Sequence, residues 1–189
     1  MTKNTLGFAI CGSFCTFATT IEQMKLLSDE YDIVPIMSYN AYNIDTRFGK
    51  ATDIINKIEE ICKRKIIHTI PDAEPIGPKK MCDLMVVAPA TGNTVSKLAN
   101  GITDTPVTMA VKSHLRILRP VLLSVATNDA LGATAKNIGM LLNTKNIYFV
   151  PLRQDAPLLK PNSLVADFTK LPQAIEFALK NQQLEPVFC

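Results

Sequence analysis

A chain of 189 residues with 47% hydrophobic and 20% charged residues has the make-up of one globular domain, residues 1–189, with a substantial core. A formal net charge of +3 and the lack of a basic tract give no electrostatic footing for nucleic acid or a membrane surface. No apolar stretch is long enough to span a bilayer, and the first residues lack the apolar core of a signal peptide, so a cytoplasmic location is expected.

Apolar runs alternate with amphipathic stretches along the chain. Residues 6–11 read as a first strand, and 14–28 as a helix with Ile21, Met24 and Leu27 inward. A second strand over 33–37 ends at Ser38, and 40–49 is polar and irregular. Residues 51–63 put Ile54, Ile55, Ile58 and Ile61 on one helical face. Ile66 and Ile67 read as a short strand, and the prolines of 71–80 as a loop or broken turn. The run over 84–88 is the central strand, with helices over 95–100 and 105–118, the second with Pro106 in its first turn. A strand over 121–125, a helix over 130–142 and a strand over 147–150 follow. Residues 153–167 read as a long loop, and 171–180 as the closing helix.

Strands without polar alternation are buried on both faces, and their alternation with helices predicts an α/β fold with a doubly wound, Rossmann-like parallel sheet. Ligands of such sheets sit beyond the carboxyl ends of the strands. Those ends carry Gly12-Ser13-Phe14, Ser38, Pro89 to Thr94, and Ala126 to Asp129. The segment Ala90-Thr91-Gly92-Asn93-Thr94 combines small and hydroxyl residues with a helix start, where unpartnered N–H groups favour an anion such as a phosphate. Only one glycine of the dinucleotide fingerprint Gly-x-Gly-x-x-Gly is present, and there is no Walker loop. A mononucleotide such as FMN fits these turns better. The alternative is that Gly12 and Gly92 only permit tight strand-to-helix turns.

The five cysteines, Cys11, Cys15, Cys62, Cys82 and Cys189, are odd in number and form no Cys-x-x-Cys pair, so reduced thiols are expected and a zinc site is not. Acidic residues at the strand ends are few apart from Asp129, so no metal cage is expected. Cys15 lies beside the first turn without an activating base nearby in sequence. The histidines are His68 and His114, and His68, at the end of an apolar run, reads as structural.

The segment Pro89-Ala90-Thr91-Gly92-Asn93-Thr94, followed by Lys97-Leu98-Ala99-Asn100-Gly101-Ile102-Thr103-Asp104, resembles the Pro-Ala-Ser-Ala-Asn-Thr motif of the flavoprotein cysteine decarboxylases. Gly12-Ser13 resembles their N-terminal turn, and Ser38 their hydroxyl after the second strand. The resemblance implies FMN, a homo-oligomer built as a trimer or a multiple of it, and cofactor roles for Gly12, Ser13, Phe14, Ser38, Thr91, Asn93 and Thr94. The decarboxylases' catalytic His is replaced near Glu74-Pro75, and of their substrate motif only Asn128 survives within 125–132.

Four further segments, 43–49, 73–79, 124–132 and 154–163, are similar to a narrower group of the same flavoproteins, the B subunits of bacterial dipicolinate synthases. That similarity implies oxidation of dihydrodipicolinate in a sporulating bacterium, with an A subunit that supplies the NADP site. A small ring with two carboxylates calls for cations, Arg above all. Arg47 and Lys160 are the carboxylate candidates and Asn128 a polar contact, with Arg153 near by. Lys112, Arg116 and Arg119, on or after a helix, read as surface or subunit contacts. Glu74 and Asp129 are, by position, candidates for the general base. A stand-alone FMN decarboxylase, or an assembly subunit that keeps the fold without catalysis, stay open as alternatives at this point.

Overall fold

The structure is a computed structural model that describes residues 3–189. Its centre is β3, Leu84–Ala90, whose seven residues are all buried. β1 (Thr5–Ile10) pairs with β3 on one side and with β2 (Asp32–Met37) on the other, both in parallel. β4 (Val121–Thr127) follows on the far side of β3, and β5 (Ile147–Phe149) lies parallel to the first half of β4. The parallel strands therefore run in the order 2-1-3-4-5, the doubly wound arrangement expected from the sequence. Its switch point, where the chain leaves for opposite sides of the sheet, falls between β1 and β3.

Helices cover both faces, which is why the strands are apolar throughout. α1 (Phe17–Leu27) and α8 (Leu171–Leu179) pack together on one face. α4 (Ile70–Ala73), α5 (Gly92–Ala99), α6 (Pro106–Leu115) and α7 (Ala135–Leu142) form a connected layer on the other. α3 (Ala51–Cys62) covers the β2 side and buries Ala51, Ile58 and Cys62. Ile54, Ile55 and Ile61 are only partly buried, so the apolar stripe read in the sequence is wider than the face it seals.

The structure departs from the sequence reading at several ends and loops, each for a local reason. Residues 40–49 are not wholly irregular. Ser38 accepts a hydrogen bond from the Ala41 N–H and starts α2, Tyr39–Asn43. A tight hairpin then exchanges hydrogen bonds between Thr46 and Gly49, where Gly49 takes a φ of +145°. The proline-rich stretch over 71–80 contains α4 and a 3-10 turn, Glu74–Ile76, because Thr69 caps the helix and Pro71 occupies its first turn, where no N–H is missed. Ile67 forms a single bridge to Ile36 rather than a strand. The first helix opens with a 3-10 turn, Phe14–Thr16. α7 starts five residues later than the expected 130, since Gly132 and Thr134 both donate backbone N–H to the Asp129 carbonyl and close a turn there.

The largest departure is the segment read as a long loop over 153–167. β6 (Leu152–Arg153) and β7 (Leu164–Ala166) pair antiparallel, and β7 pairs antiparallel with Ala126 and Thr127 at the end of β4. β5 is too short to cover that part of the β4 edge, so the chain folds back and covers it itself. The sheet has seven strands, five of them parallel. The turn between β6 and β7 is thereby held at the carboxyl ends of the strands.

His114 lies in α6 with no exposed surface and with neither ring nitrogen in a hydrogen bond. Burial, reinforced by the charge of Arg119, pushes its pKa down from 6.5 to about 4. Between those values the unfolded chain binds a proton that the folded one refuses, so stability falls as pH drops through this window. Full passage from pH 6.5 to 4 corresponds to roughly 3 kcal/mol. Urea unfolding at pH 7 and pH 4.5 will show this loss, and His114→Leu will make the pH dependence shallower. Equal pH slopes for the two proteins would assign the acid sensitivity elsewhere.

Candidate functional site

Two helix starts and two strand ends meet at the switch point. The Cys11 N–H donates to the Pro89 carbonyl at 3.1 Å, which ties the turn after β1 to the end of β3. Thr91 caps α5 through its hydroxyl, which accepts from the Thr94 N–H at 3.3 Å. Ser38 caps α2 in the same way. In each helix this leaves the first-turn N–H groups ahead of the capped one without an intrahelical acceptor. Between the two starts lies a cavity of about 460 Å³ lined by Gly12, Ser38, Asn40, Thr91, Asn93 and Thr94, with Cys11, Tyr39, Lys97, Asp104 and Thr105 completing its wall.

Apart from Lys97, the donors of this cradle are neutral: hydroxyls, the amide side chains of Asn40 and Asn93, and backbone N–H groups. Lys97 is the cation in its wall, and its Nζ lies 2.6 Å and 2.7 Å from the two carboxylate oxygens of Asp104. That hydrogen bond holds the Asp104 carboxyl below its ordinary range. The Thr94 hydroxyl donates to the Cys11 sulfur at 3.2 Å, but burial dominates there and raises the thiol to about 11. Cys11 is thus a neutral packing group. Helix-end N–H groups and hydroxyls without a free carboxylate make a set of donors suited to a phosphate group.

A second cavity of about 490 Å³ adjoins the first and shares Gly12 and Thr91 with it. A Cβ on Gly12 would stand 3.4 Å from the Phe14 ring and 3.6 Å from Asn40 Cβ, in the space where the two cavities join. Ser13, Phe14 and Cys15 line it from the first turn, Thr127 and Asn128 from the end of β4, Arg47 and Phe48 from the hairpin tip, and Asp155, Lys160 and Ser163 from the β6–β7 turn. The Arg47 guanidinium stacks over the Phe48 ring at 4.9 Å and has no carboxylate partner among the described residues. Lys160 is paired: its Nζ donates to Asp155 at 3.0 Å. Partial burial opposes the charge on Asp155, and hydrogen bonds from Ser163 and Lys160 outweigh it, so the carboxyl lies below its ordinary range.

The residues singled out in the sequence as cofactor and substrate contacts therefore come together. Gly12, Ser13, Phe14, Ser38, Thr91, Asn93 and Thr94 face one or both cavities, and Arg47, Asn128 and Lys160 line the second. The two candidate bases do not join them. Glu74 is exposed on the 3-10 turn that packs against α6, where its carbonyl accepts from the Ser113 hydroxyl at 2.5 Å. The Asp129 carboxylate is occupied by the hydroxyls of Thr127 at 2.5 Å and Thr134 at 2.9 Å, and the Thr127 bond leads in holding its pKa below the ordinary range. Its task is to close the turn ahead of α7.

Gly92 belongs to the same arrangement. A Cβ there would come within 2.7 Å of the Thr127 hydroxyl and 2.9 Å of both Asp129 and Thr134, so the residue is small to let α5 pack on this cluster. His68 stacks on Tyr42 with centroids 3.9 Å apart and lines neither cavity. Arg153 is exposed in β6 and lines neither cavity. Lys112 borders a separate apolar groove between α5 and α6, formed by Leu98, Ile102, Val111 and Leu115, and Arg119 pairs with Asp83 at 3.3 Å.

Lys97, Asp104, Asn40, Asp155 and Ser163 were not singled out as contacts. Asp155 and Lys160, five apart in a segment read as coil, could have been flagged as an ion pair. The contact of Asn40 with the cradle had no sequence signal, because α2 itself was not recognised.

Comparison with known proteins gives the family and the fold. The family model described as Flavoprotein matches residues 1–174. The B subunit of dipicolinate synthase from Bacillus subtilis (strain 168) is 46% identical over 183 residues, covering 96% of this chain and 92% of the relative. The crystal structure of the corresponding B subunit from Bacillus halodurans C superposes with a TM-score of 0.90 at 45% identity, over 98% of this chain and 96% of that one. DmrB of Burkholderia xenovorans, crystallised in complex with FMN, shares the fold at a TM-score of 0.69 and 18% identity, over 94% of this chain and 96% of that one. Matched by the family model over most of its length and by a close relative over nearly all of it, the chain belongs to the Flavoprotein family, and within it groups with the B subunits of dipicolinate synthase.

Proposed function

We propose that the chain is the flavin- and substrate-binding subunit of a dipicolinate synthase, an oxidoreductase that converts dihydrodipicolinate to dipicolinate during sporulation. It acts in the mother-cell cytoplasm with a nicotinamide-binding A subunit. The observation that carries this reading is the two-part groove: an anion cradle of neutral donors opens, through Gly12 and Thr91, into a cavity with an unpaired arginine. The first part suits the phosphate of FMN, and the second a small dicarboxylate. Support comes from the close likeness to the B subunits of two dipicolinate synthases.

In this reading residues 1–189 act as one flavoprotein-like domain. Gly12, Ser13, Ser38, Thr91, Asn93 and Thr94 hold the FMN phosphate and its neighbouring atoms, with Phe14 beside them. FMN, when bound, supplies a carrier that takes up two electrons and passes them on. Arg47 grips one substrate carboxylate through two parallel hydrogen bonds, and Asn128 contributes a neutral polar contact. Aromatisation of the dihydro ring removes a hydride and a proton, and NADP, when held by the A subunit, would supply the hydride acceptor. The chain assembles as a trimer or a multiple of it, as implied by its likeness to the flavoprotein decarboxylases.

Three outcomes test the reading. FMN fluorescence will be quenched on binding to the pure chain, and Asn93→Asp, which sets a negative charge against the phosphate, will weaken binding by about tenfold or more. No binding of FMN at tens of micromolar, roughly the −6 kcal/mol range, would remove the cofactor assignment. Reconstitution with the A subunit and NADP, followed by the ultraviolet absorbance of dipicolinate, will give turnover that neither chain shows alone. Full turnover by this chain alone with NADP would rule out the two-subunit arrangement. In the reconstituted system Arg47→Ala will raise KM for the dicarboxylate by about ten- to a hundredfold, the size of a lost charge-assisted bond. Unchanged kinetics would place Arg47 outside the site.

A further inference from the structure

We propose that Asp155 is a built-in competitor for the substrate's second carboxylate: it holds Lys160, and a dicarboxylate binds fully only by taking its place. The inference rests on the dicarboxylate reading above and names the residue that sets selectivity within it.

Two cations reach the second cavity, and they are not equivalent. Arg47 lies over the Phe48 ring at 4.9 Å and has no carboxylate partner among the described residues. Lys160 is bound to Asp155 at 3.0 Å, and both side chains line the cavity. A ligand with one carboxylate is satisfied by Arg47. A ligand with two brings a second negative charge to Lys160 and meets the charge of Asp155 already there.

The pair is built to open. Its side chains are 50% and 31% exposed, and an exposed pair of this kind contributes little stability. The loop does not depend on it. The Lys160 N–H donates to the Ala156 carbonyl at 2.7 Å, the Ser163 N–H to the Lys160 carbonyl at 3.0 Å, and the Leu131 N–H to the Asn162 carbonyl at 2.9 Å. The Gln154 side chain adds a bond to the Pro161 carbonyl at 2.9 Å. Lys160 can therefore exchange one carboxylate for another while the backbone stays in place. The exchange is reversible, and the return of Asp155 to Lys160 assists release of a product that carries the same two carboxylates as the substrate.

The test is calorimetric titration of pyridine-2,6-dicarboxylate and of pyridine-2-carboxylate into the full chain and its variants. Asp155→Asn keeps the shape of the side chain and removes the competing charge. It will bind the dicarboxylate about three- to tenfold more tightly than the unmodified chain, and the monocarboxylate within about twofold. The double variant Asp155→Asn with Lys160→Gln will lose the gain, which shows that it acts through Lys160. Thermal melts of the variants check that the fold is kept. Unchanged or weaker dicarboxylate binding by Asp155→Asn overturns the inference while the dicarboxylate reading stands. An equal gain for both ligands overturns it too, since the effect would then be general charge. Binding of neither ligand to the unmodified chain and to Asp155→Asn overturns the dicarboxylate reading and this inference together.

Discussion

The parallel pairing of β1 with β3 is the constraint from which the rest of the site follows. It runs in register from Leu6 and Leu84 to Ala9 and Val87, and the Cys11–Pro89 hydrogen bond prolongs it past the end of β1. The chain after β1 turns towards β2 and the chain after β3 towards β4, so two neighbouring strands end in segments that diverge. The crevice between them opens at the switch point of the sheet. Thr94 closes its floor by reaching back to the buried Cys11 sulfur, which joins the helix after β3 to the turn after β1.

Charge is distributed around this crevice in a way that separates two kinds of recognition. In the cradle the one lysine is neutralised by Asp104, and the remaining donors are uncharged. Helix-end N–H groups and hydroxyls of this kind suit an anion such as a phosphate. In the adjoining cavity Arg47 keeps its charge available, while Lys160 is held by Asp155. A planar guanidinium favours a planar carboxylate. The border between the two regions is Gly12 and Thr91, so one elongated ligand or two neighbouring ones can lie along the groove.

The β6–β7 hairpin turns a sheet into a site. Without it the end of β4 would be an open edge, and the segment with Asp155, Lys160 and Ser163 would have no fixed place. Pairing of Leu164 and Val165 with Thr127 and Ala126 places the turn over the carboxyl ends of the strands. On the other flank, the hairpin closed between Thr46 and Gly49 presents Arg47 and Phe48. The second cavity is thus walled by two small antiparallel devices added to a parallel scaffold. This agrees with the general placement of binding groups on loops held by a rigid core.

How much of this was legible in the sequence depended on whether the signal was local. The apolar run of β3, the helix faces and the Thr105-Pro106 helix start have their causes within a few residues, and they appear where the periodicity and caps placed them. The turn residues Gly12, Ser13, Ser38, Thr91, Asn93 and Thr94 were legible for the same reason, since a strand end followed by a helix start is a local pattern. The reading of 153–167 as coil missed β6 and β7, because strands of two and three residues carry no period and exist only by pairing with β4. Glu74 and Asp129 are candidates by position along the chain, and the structure places Glu74 against α6 and bonds Asp129 to Thr127 and Thr134. The sequence by itself determined the doubly wound α/β scaffold and the cradle residues, through hydrophobic period and capping. Only the tertiary structure decided that Arg47 is free, that Lys160 is paired and that both face one cavity with Asn128, because those relations depend on distances between segments far apart in the chain.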